Sequence, residues 1–460
     1  MQARSALIVL ILFYTLTGFS QSKSVYTFPS EDTTLKNRLF AAALNKKVQL
    51  IASLAGEHKD DYKVVYESRF ELISALMKSS RLVAEPDAHA YLQKVMDRIV
   101  SVNEELKALE IRLVFSRDNW VNAYSVGEGT LIVNAGLLLR LKNEAELAFV
   151  LSHELAHYYL DHSAKSIQKM ITTANSEKVR AELKKLSRQE YGAGAELDKL
   201  MKWMAFSDRR HSRENESEAD ELAIRFLKNT EFNGHGAITC LQMLDQSDDS
   251  TYYPPLDVKK VFGFPDFPFK SRWLQDESAI FSQLKGDTGG LTAQERDSLQ
   301  THPDCPIRIA AMEPVIRTLS GKQDFPVDAG MFRQLQDRFS IEVIEELYQE
   351  KRHAQHLYSA LGLLQTGQHR TYAVYTIARV LNALYEAQQQ HQFGLYVEKE
   401  NRFYHPDYNQ LLRLLDRLRL NELAALNYFF CRQYKEEMTG YSAFESEWRK
   451  AQQHHEMYTN

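Results

Sequence analysis

Val150-Leu151-Ser152-His153-Glu154-Leu155-Ala156-His157-Tyr158-Tyr159 places His-Glu-x-x-His inside an apolar run that holds no Pro or Gly. Four residues advance an α-helix by about 400°, so His153 and His157 fall within about 40° of each other and about 6 Å apart along the axis. Both imidazoles then reach one Zn²⁺ at about 2.0–2.1 Å. Glu154 lies about 100° further round, where its carboxylate can take a proton from a water that the metal activates. The competing reading of five letters is a core helix with two polar contacts. The uncharged neighbours Leu151, Leu155, Ala156 and Tyr158 argue for burial, and buried His and Glu without partners are costly, whereas a metal satisfies all three. The spacing predicts a zinc-binding helix with Glu154 as its base.

A catalytic zinc needs a third protein ligand. The metzincin form would put Gly at 160 and His at 163; Leu160 and Ser163 exclude it. His162, five positions past His157 on a continued helix, falls on the wrong side for the same metal. Glu216, in Glu214-Asn215-Glu216-Ser217-Glu218-Ala219-Asp220-Glu221, is the next strong candidate. Glu216 and Asp220 are i and i+4, so Glu216 can ligate while Asp220 holds the N–H of a ligand histidine from behind. Read alone, the same stretch is also an exposed acidic helix with pairs such as Glu221 to Arg225.

The two motifs together are specific. His153-Glu154-x-x-His157, followed by Glu216-x-x-Ala219-Asp220, resembles the M48 metallopeptidases, which group membrane prenyl-protein peptidases with soluble bacterial envelope proteases. Asn122-Ala123-Tyr124 and the run Gly127-Glu128-Gly129-Thr130 to Leu138 resemble the family's turn, strand and helix start, and Thr301-His302-Pro303 with Arg308 resembles the segment closing its catalytic domain. Glu128 between the glycines departs from the adjacent glycines common there. The resemblance covers roughly residues 65–315. It implies an α+β zincin-like metallopeptidase domain, mostly helical with a small sheet, binding one Zn²⁺ per chain and acting on polypeptides.

Across its 460 residues the chain is 44 % apolar and 25 % charged, an ordinary globular balance. A net charge of −5 with no long basic tract gives no sign of a nucleic-acid partner. Residues 1–20 read as a secretory signal: Arg4, an apolar stretch from Ala6 to Leu16, and small residues at Gly18 and Ser20. An uncleaved anchor is the alternative, although the apolar run is short for a membrane span. These features predict export to the periplasm or cell envelope. Cys240, Cys305 and Cys431 make no disulfide framework; free buried thiols are expected, with Cys240 to Cys305 the one plausible bridge.

Residues 21–64 form an N-terminal segment, 65–320 the peptidase domain and 321–460 a helical C-terminal domain with possible repeat character. Tyr62 to Ser79 and Pro86 to Val102 have helical periodicity, the second through Tyr91, Val95, Ile99 and Val102; Ile111 to Phe115 and Thr130 to Val133 read as strands. A zincin needs a strand edge beside its metal to which an extended peptide adds. Asn122, Gly127 and Gly129 are the candidates for that edge, the glycines fitting a plain turn equally well. Residues 163–210 predict two or three helices flanking the cleft, and the Pro- and Gly-rich 245–300 a loop or lid.

The sequence thus predicts an exported zinc endopeptidase: His153, His157 and Glu216 as ligands, Glu154 as base, Asp220 behind them. Two other readings stand beside it, an envelope chaperone binding client or partner proteins through the C-terminal helices, and a purely structural zinc, for which Glu154 has no use. His302, directed by Pro303, is a candidate plug able to occupy the fourth zinc position and hold the enzyme latent; the simpler reading is a helix-start His-Pro serving as scaffold.

Overall fold

The structure is a computed structural model that describes residues 26–177, 179–181, 213–247, 255–275, 305–319, 321–401 and 404–459. Helices α1 (Thr33–Ala52) and α2 (Lys59–Lys78) pack on each other, the first capped by Asp32, whose carboxylate accepts from the Thr34 and Leu35 N–H groups. After β1 (Leu82–Val83), Pro86 opens α3 (Pro86–Val100), where its missing N–H costs nothing. Tyr91, Val95 and Ile99 form the buried stripe the periodicity predicts. Val102 does not join it: the helix has ended, and the side chain is 43 % exposed.

Strands β2 (Arg112–Ser116), β3 (Ala123–Ser125) and β4 (Thr130–Asn134) complete a four-stranded sheet of order β1-β2-β4-β3. The central pair is parallel, Arg112 opposite Thr130, and the outer strands are antiparallel to it. Both central strands are buried along their whole length because both faces are covered. Leu113, Phe115, Leu131 and Val133 enter the main core with α3 and α5 (Glu144–Tyr159). Val114 and Ile132 meet Leu35, Leu39, Ile73 and Met77 of the α1–α2 pair on the other side. This is the α+β arrangement the sequence implies: mostly helical, with one small sheet.

Beyond α5 come α6 (His162–Ala174), a helix over residues 213–228, and the helices His235–Ser247 and Cys305–Ile316. α6 is the first of the helices expected over 163–210; most of the rest of that segment lies outside the described residues. Within the loop-rich 245–300 stretch, residues 255–275 are ordered against the C-terminal helices. There Phe267 stacks on Phe429 at 5.3 Å, and Trp273 Nε1–H donates to Glu422 Oε2.

The C-terminal part consists of helices Ala329–Gln349, His353–Thr366, Arg370–Gln389, Pro406–Arg417, Leu420–Tyr434 and Ser442–Glu456. One continuous core runs from Val83 through the catalytic helix to Ala451. A buried ionic seam crosses between the parts: Arg117 pairs with Glu85 and Glu342 at 2.6 Å each, and Arg338 with Glu85 at 2.8 Å and Asp87 at 2.9 Å. The carboxylate of Glu144, at the start of α5, accepts from the backbone N–H groups of Val327 and Asp328 and from Tyr91. Cys240, Cys305 and Cys431 are free and buried. Among the described residues no helix is long and apolar enough to cross a membrane.

Candidate active site and metal centre

α5 carries His-Glu-x-x-His on a helix whose residues Glu144 to Ala156 are all buried. Asn143 caps its start, accepting from the Glu146 N–H. A helix apolar nearly all round is held from every side, so its polar groups sit at fixed positions. The helix over 213–228 crosses beside it and brings Glu216 to the two rings.

His153 Nε2 and His157 Nε2 face each other at 3.0 Å, and the Glu216 carboxylate straddles them, Oε2 3.4 Å from the first and Oε1 3.3 Å from the second. Ligand atoms on a tetrahedral zinc with bonds of about 2.0–2.1 Å lie about 3.3 Å apart, so these spacings fit one ion. Among the described residues this is the single His/Cys/Asp/Glu cluster of metal-binding geometry.

The partners behind the rings carry the fit test further. Asp220 Oδ1 stands 3.0 Å from His153 Nδ1, and a carboxylate only accepts, so the proton belongs on Nδ1. Behind His157 stands His162, its Nδ1 2.9 Å from His157 Nδ1 and its Nε2 3.2 Å from Glu218. Glu218 takes the His162 Nε2 proton, His162 Nδ1 therefore accepts, and His157 Nδ1 donates. Both ligand rings thus turn bare Nε2 lone pairs toward each other at 3.0 Å, an arrangement that a shared cation resolves.

The surrounding acids call for a positive charge at the cluster, which a proton on His153 or a shared cation supplies. Burial disfavours charge on His153, yet Asp220 and Glu216 outweigh it and push the ring up to about 10. Burial works to raise Glu216, but the His153 and His157 rings and Arg308 hold its carboxyl well below the usual range. Arg308 binds Asp220 through two bonds of 2.6 and 2.8 Å and lies 3.0 Å from Glu216. It thereby keeps both carboxylates ionised and oriented.

Glu154 points elsewhere on the rim. Its Oε2 accepts the backbone N–H of Ser125 at 2.7 Å, and burial raises its carboxyl above the ordinary value, partly offset by His157 and His153. Ser125 ends β3, the outer strand of the sheet. The Asn122 carbonyl and the Val126 N–H bond to β4, so by alternation the backbone groups of Ala123 and Ser125 face outward. Among the described residues the outward edge beside Glu154 therefore offers the Ala123 N–H and C=O and the Ser125 C=O, the Ser125 N–H being held by Glu154. Asn122 turns its carbonyl inward to the Asn134 N–H.

Gly127 and Gly129 form the turn after that edge at φ +86° and +93°, and a Cβ on either would collide with Ser163 or the Glu110 carbonyl. Their role in the structure is the turn. Glu128 between them is buried, its carboxylate bound by Arg112 and Thr130.

His302 lies outside the described residues. His162 stands where a continued helix would not put it. α5 ends at Tyr159, Asp161 adopts φ +54°, and α6 starts at His162, so the chain reverses and brings the ring back onto His157. No glycine or proline announces that break. Ser125 acts through its backbone and has no side-chain signature. Arg308 was visible as a family feature but not as the partner of Asp220.

Comparison with known proteins fits this geometry. The chain is 24 % identical over 188 residues to the beta-barrel assembly-enhancing protease of Escherichia coli (strain K12), a match covering 40 % of this chain and 38 % of that protein. It is 25 % identical over 112 residues to the mitochondrial metalloendopeptidase OMA1 of Bos taurus, covering 23 % of this chain and 21 % of that one. With the Schizosaccharomyces pombe mitochondrial metalloendopeptidase OMA1 it shares 38 % over 77 residues, 17 % of this chain and 23 % of the relative. The chain thus spans less than half the length of the curated relatives it matches. The model of peptidase family M48 matches residues 86–316, half of the chain and the part that builds the whole site, and the chain belongs to that family.

Proposed function

We propose that this protein is a zinc-dependent endopeptidase in which His153, His157 and Glu216 hold one Zn²⁺ and Glu154 is the general base. The observation that carries this reading is the convergence of His153 Nε2, His157 Nε2 and the Glu216 carboxylate, with contacts of 3.0–3.4 Å, beside a glutamate anchored to the outer strand of the sheet. Bound zinc supplies a Lewis acid for the scissile carbonyl and for the attacking water. An extended polypeptide adds to the Ala123 N–H and C=O and the Ser125 C=O as a further strand, which places a peptide bond next to the ligand cluster. Glu154 holds Oε2 on the Ser125 N–H, so Oε1 takes the proton from the water and passes it to the leaving amine. Asp220, His162 and Glu218 keep the ligand rings in their Nδ1–H tautomers throughout.

The substrates in this proposal are misfolded or unassembled proteins of the cell envelope, reached after removal of residues 1–20. The name of the Escherichia coli relative supports an envelope role. The test is zinc content and hydrolysis of an unfolded protein, compared between wild type and Glu154→Gln. The proposal expects about one zinc per chain in both and turnover only in the wild type, because the amide cannot accept the proton. A Glu154→Gln protein as active as wild type would overturn it.

A further inference from the structure

A second concave site shares no residue with the ligand cluster or Glu154. It is a cleft of about 200 Å³ between α1, α2, the Gly127–Glu128 turn and the start of α6. Its lining combines three cations, Lys46, Lys47 and Arg69, with the apolar side chains of Leu50, Phe70 and Ile73.

The cations are poorly compensated. Lys46 lies 3.3 Å from Glu110, whose side chain is 66 % exposed, so the pair is weak. Lys47 stands over the Phe70 ring at 4.4 Å. Arg69 donates to the Ser163 hydroxyl at 2.6 Å and, among the described residues, has no carboxylate within ion-pair distance. Burial draws its guanidinium below the ordinary value, with Tyr66 and Glu128 only partly opposing. Two acids line the cleft. Glu128 is committed to Arg112 and Thr130, and Asp161 is exposed.

We propose that this cleft binds a small carboxylate carried on an apolar stem, the carboxylate paired with Arg69 and the stem lying against Leu50 and Phe70. A guanidinium presents a fork of N–H donors matched to a carboxylate, and the missing negative partner of Arg69 is what such a ligand brings. The apolar lining favours a stem over a bare anion. The volume falls below that of drug-sized pockets, which limits the ligand to a medium-chain fatty acid or the terminal residue of a peptide. Both present the same chemistry.

The cleft is also wired to the active site. Arg69 holds Ser163, the neighbour of His162, which stands behind ligand His157. Gly127 donates to the Ser125 hydroxyl, and the Ser125 backbone anchors Glu154. A ligand that draws Arg69 away from Ser163 releases the residue next to His162. Its occupancy does not depend on the reaction proposed above.

The test is calorimetric titration of the full chain with octanoate, octanamide, inorganic phosphate, N-acetylleucine and N-acetylleucinamide. The expected result is saturable 1:1 binding of octanoate or N-acetylleucine, none of either amide, and weaker binding of phosphate. Arg69→Gln should weaken the carboxylate at least tenfold with an unchanged circular dichroism spectrum. Leu50→Trp, which fills the apolar end, should weaken it independently should Arg69→Gln not fold. Preference for octanoate assigns a fatty acid, and preference for N-acetylleucine a peptide terminus. No saturable carboxylate binding, equal binding by amides, phosphate binding as tight as octanoate, or full affinity in the folded variants would each overturn the proposal.

Discussion

The backbone N–H of Ser125 donates to Glu154 Oε2 at 2.7 Å, so the outer strand of the sheet fixes the carboxylate that we propose as the base. Ser125 faces away from β4, and a proline there removes this donor without removing a ladder bond. Ser125→Pro should therefore keep zinc while kcat falls by about ten- to a hundredfold, the worth of a hydrogen bond to a charged group. Wild-type kcat in a folded, zinc-loaded Ser125→Pro protein would show that the base needs no anchor.

In the proposed site Glu216 is the one oxygen ligand, and Arg308 is already held by Asp220 at its other side. Glu216→Ala should lower zinc affinity by more than about a hundredfold, beyond what loss of an outer partner costs. Chelator competition measures this directly. Full zinc retention would place the third ligand elsewhere.

His162 is argued to act through His157 and not to touch substrate. His162→Ala should weaken zinc about 10- to 100-fold, and Glu218→Gln should move it the same way by less. The thermal midpoint of chelator-treated protein should stay near wild type. A drop in that midpoint with zinc affinity unchanged would make His162 a packing residue.

Glu85 sits in the buried seam where Glu85, Glu342 and Asp87 share Arg117 and Arg338. Burial, and then the neighbouring Glu342, raise its carboxyl to about 7, with Arg338 and Arg117 opposing. The folded protein therefore holds a proton that the unfolded chain releases above about pH 4.5, so this group's contribution is full below that pH and lost as pH rises through 7. Glu85→Gln should flatten the fall in stability between pH 5 and 7.5 by on the order of 1–3 kcal/mol. Denaturant melts at several pH values decide it; parallel curves for the two proteins would reject the assignment.

The sequence was most legible where the period of the side chains is local. The His153, Glu154 and His157 spacing implied a buried helix with ligands on one face, and Thr130 to Val133 implied a strand, though not that both its faces are covered. Glu216 was legible only as half of a pair of motifs, because an acidic helix is common alone. What stayed hidden depends on chain reversal or on distant residues. The break at Asp161 brings His162 back without any glycine, and the outward register of Ala123 and Ser125 follows from pairing with β4. The Arg69 cleft joins helices and a turn far apart in the chain, as the Arg69–Ser163 bond across 94 positions shows.

The clamp on Glu144 has a bearing on how the enzyme comes into being. Its backbone partners, Val327 and Asp328, lie 183 and 184 positions downstream. A ribosome must deliver most of the polypeptide before the leading end of the catalytic helix is neutralised, and Arg308 arrives hardly earlier. The start of α5 is therefore fixed only when a segment 183 and 184 positions later has joined it, so that helix and the C-terminal part complete their packing together.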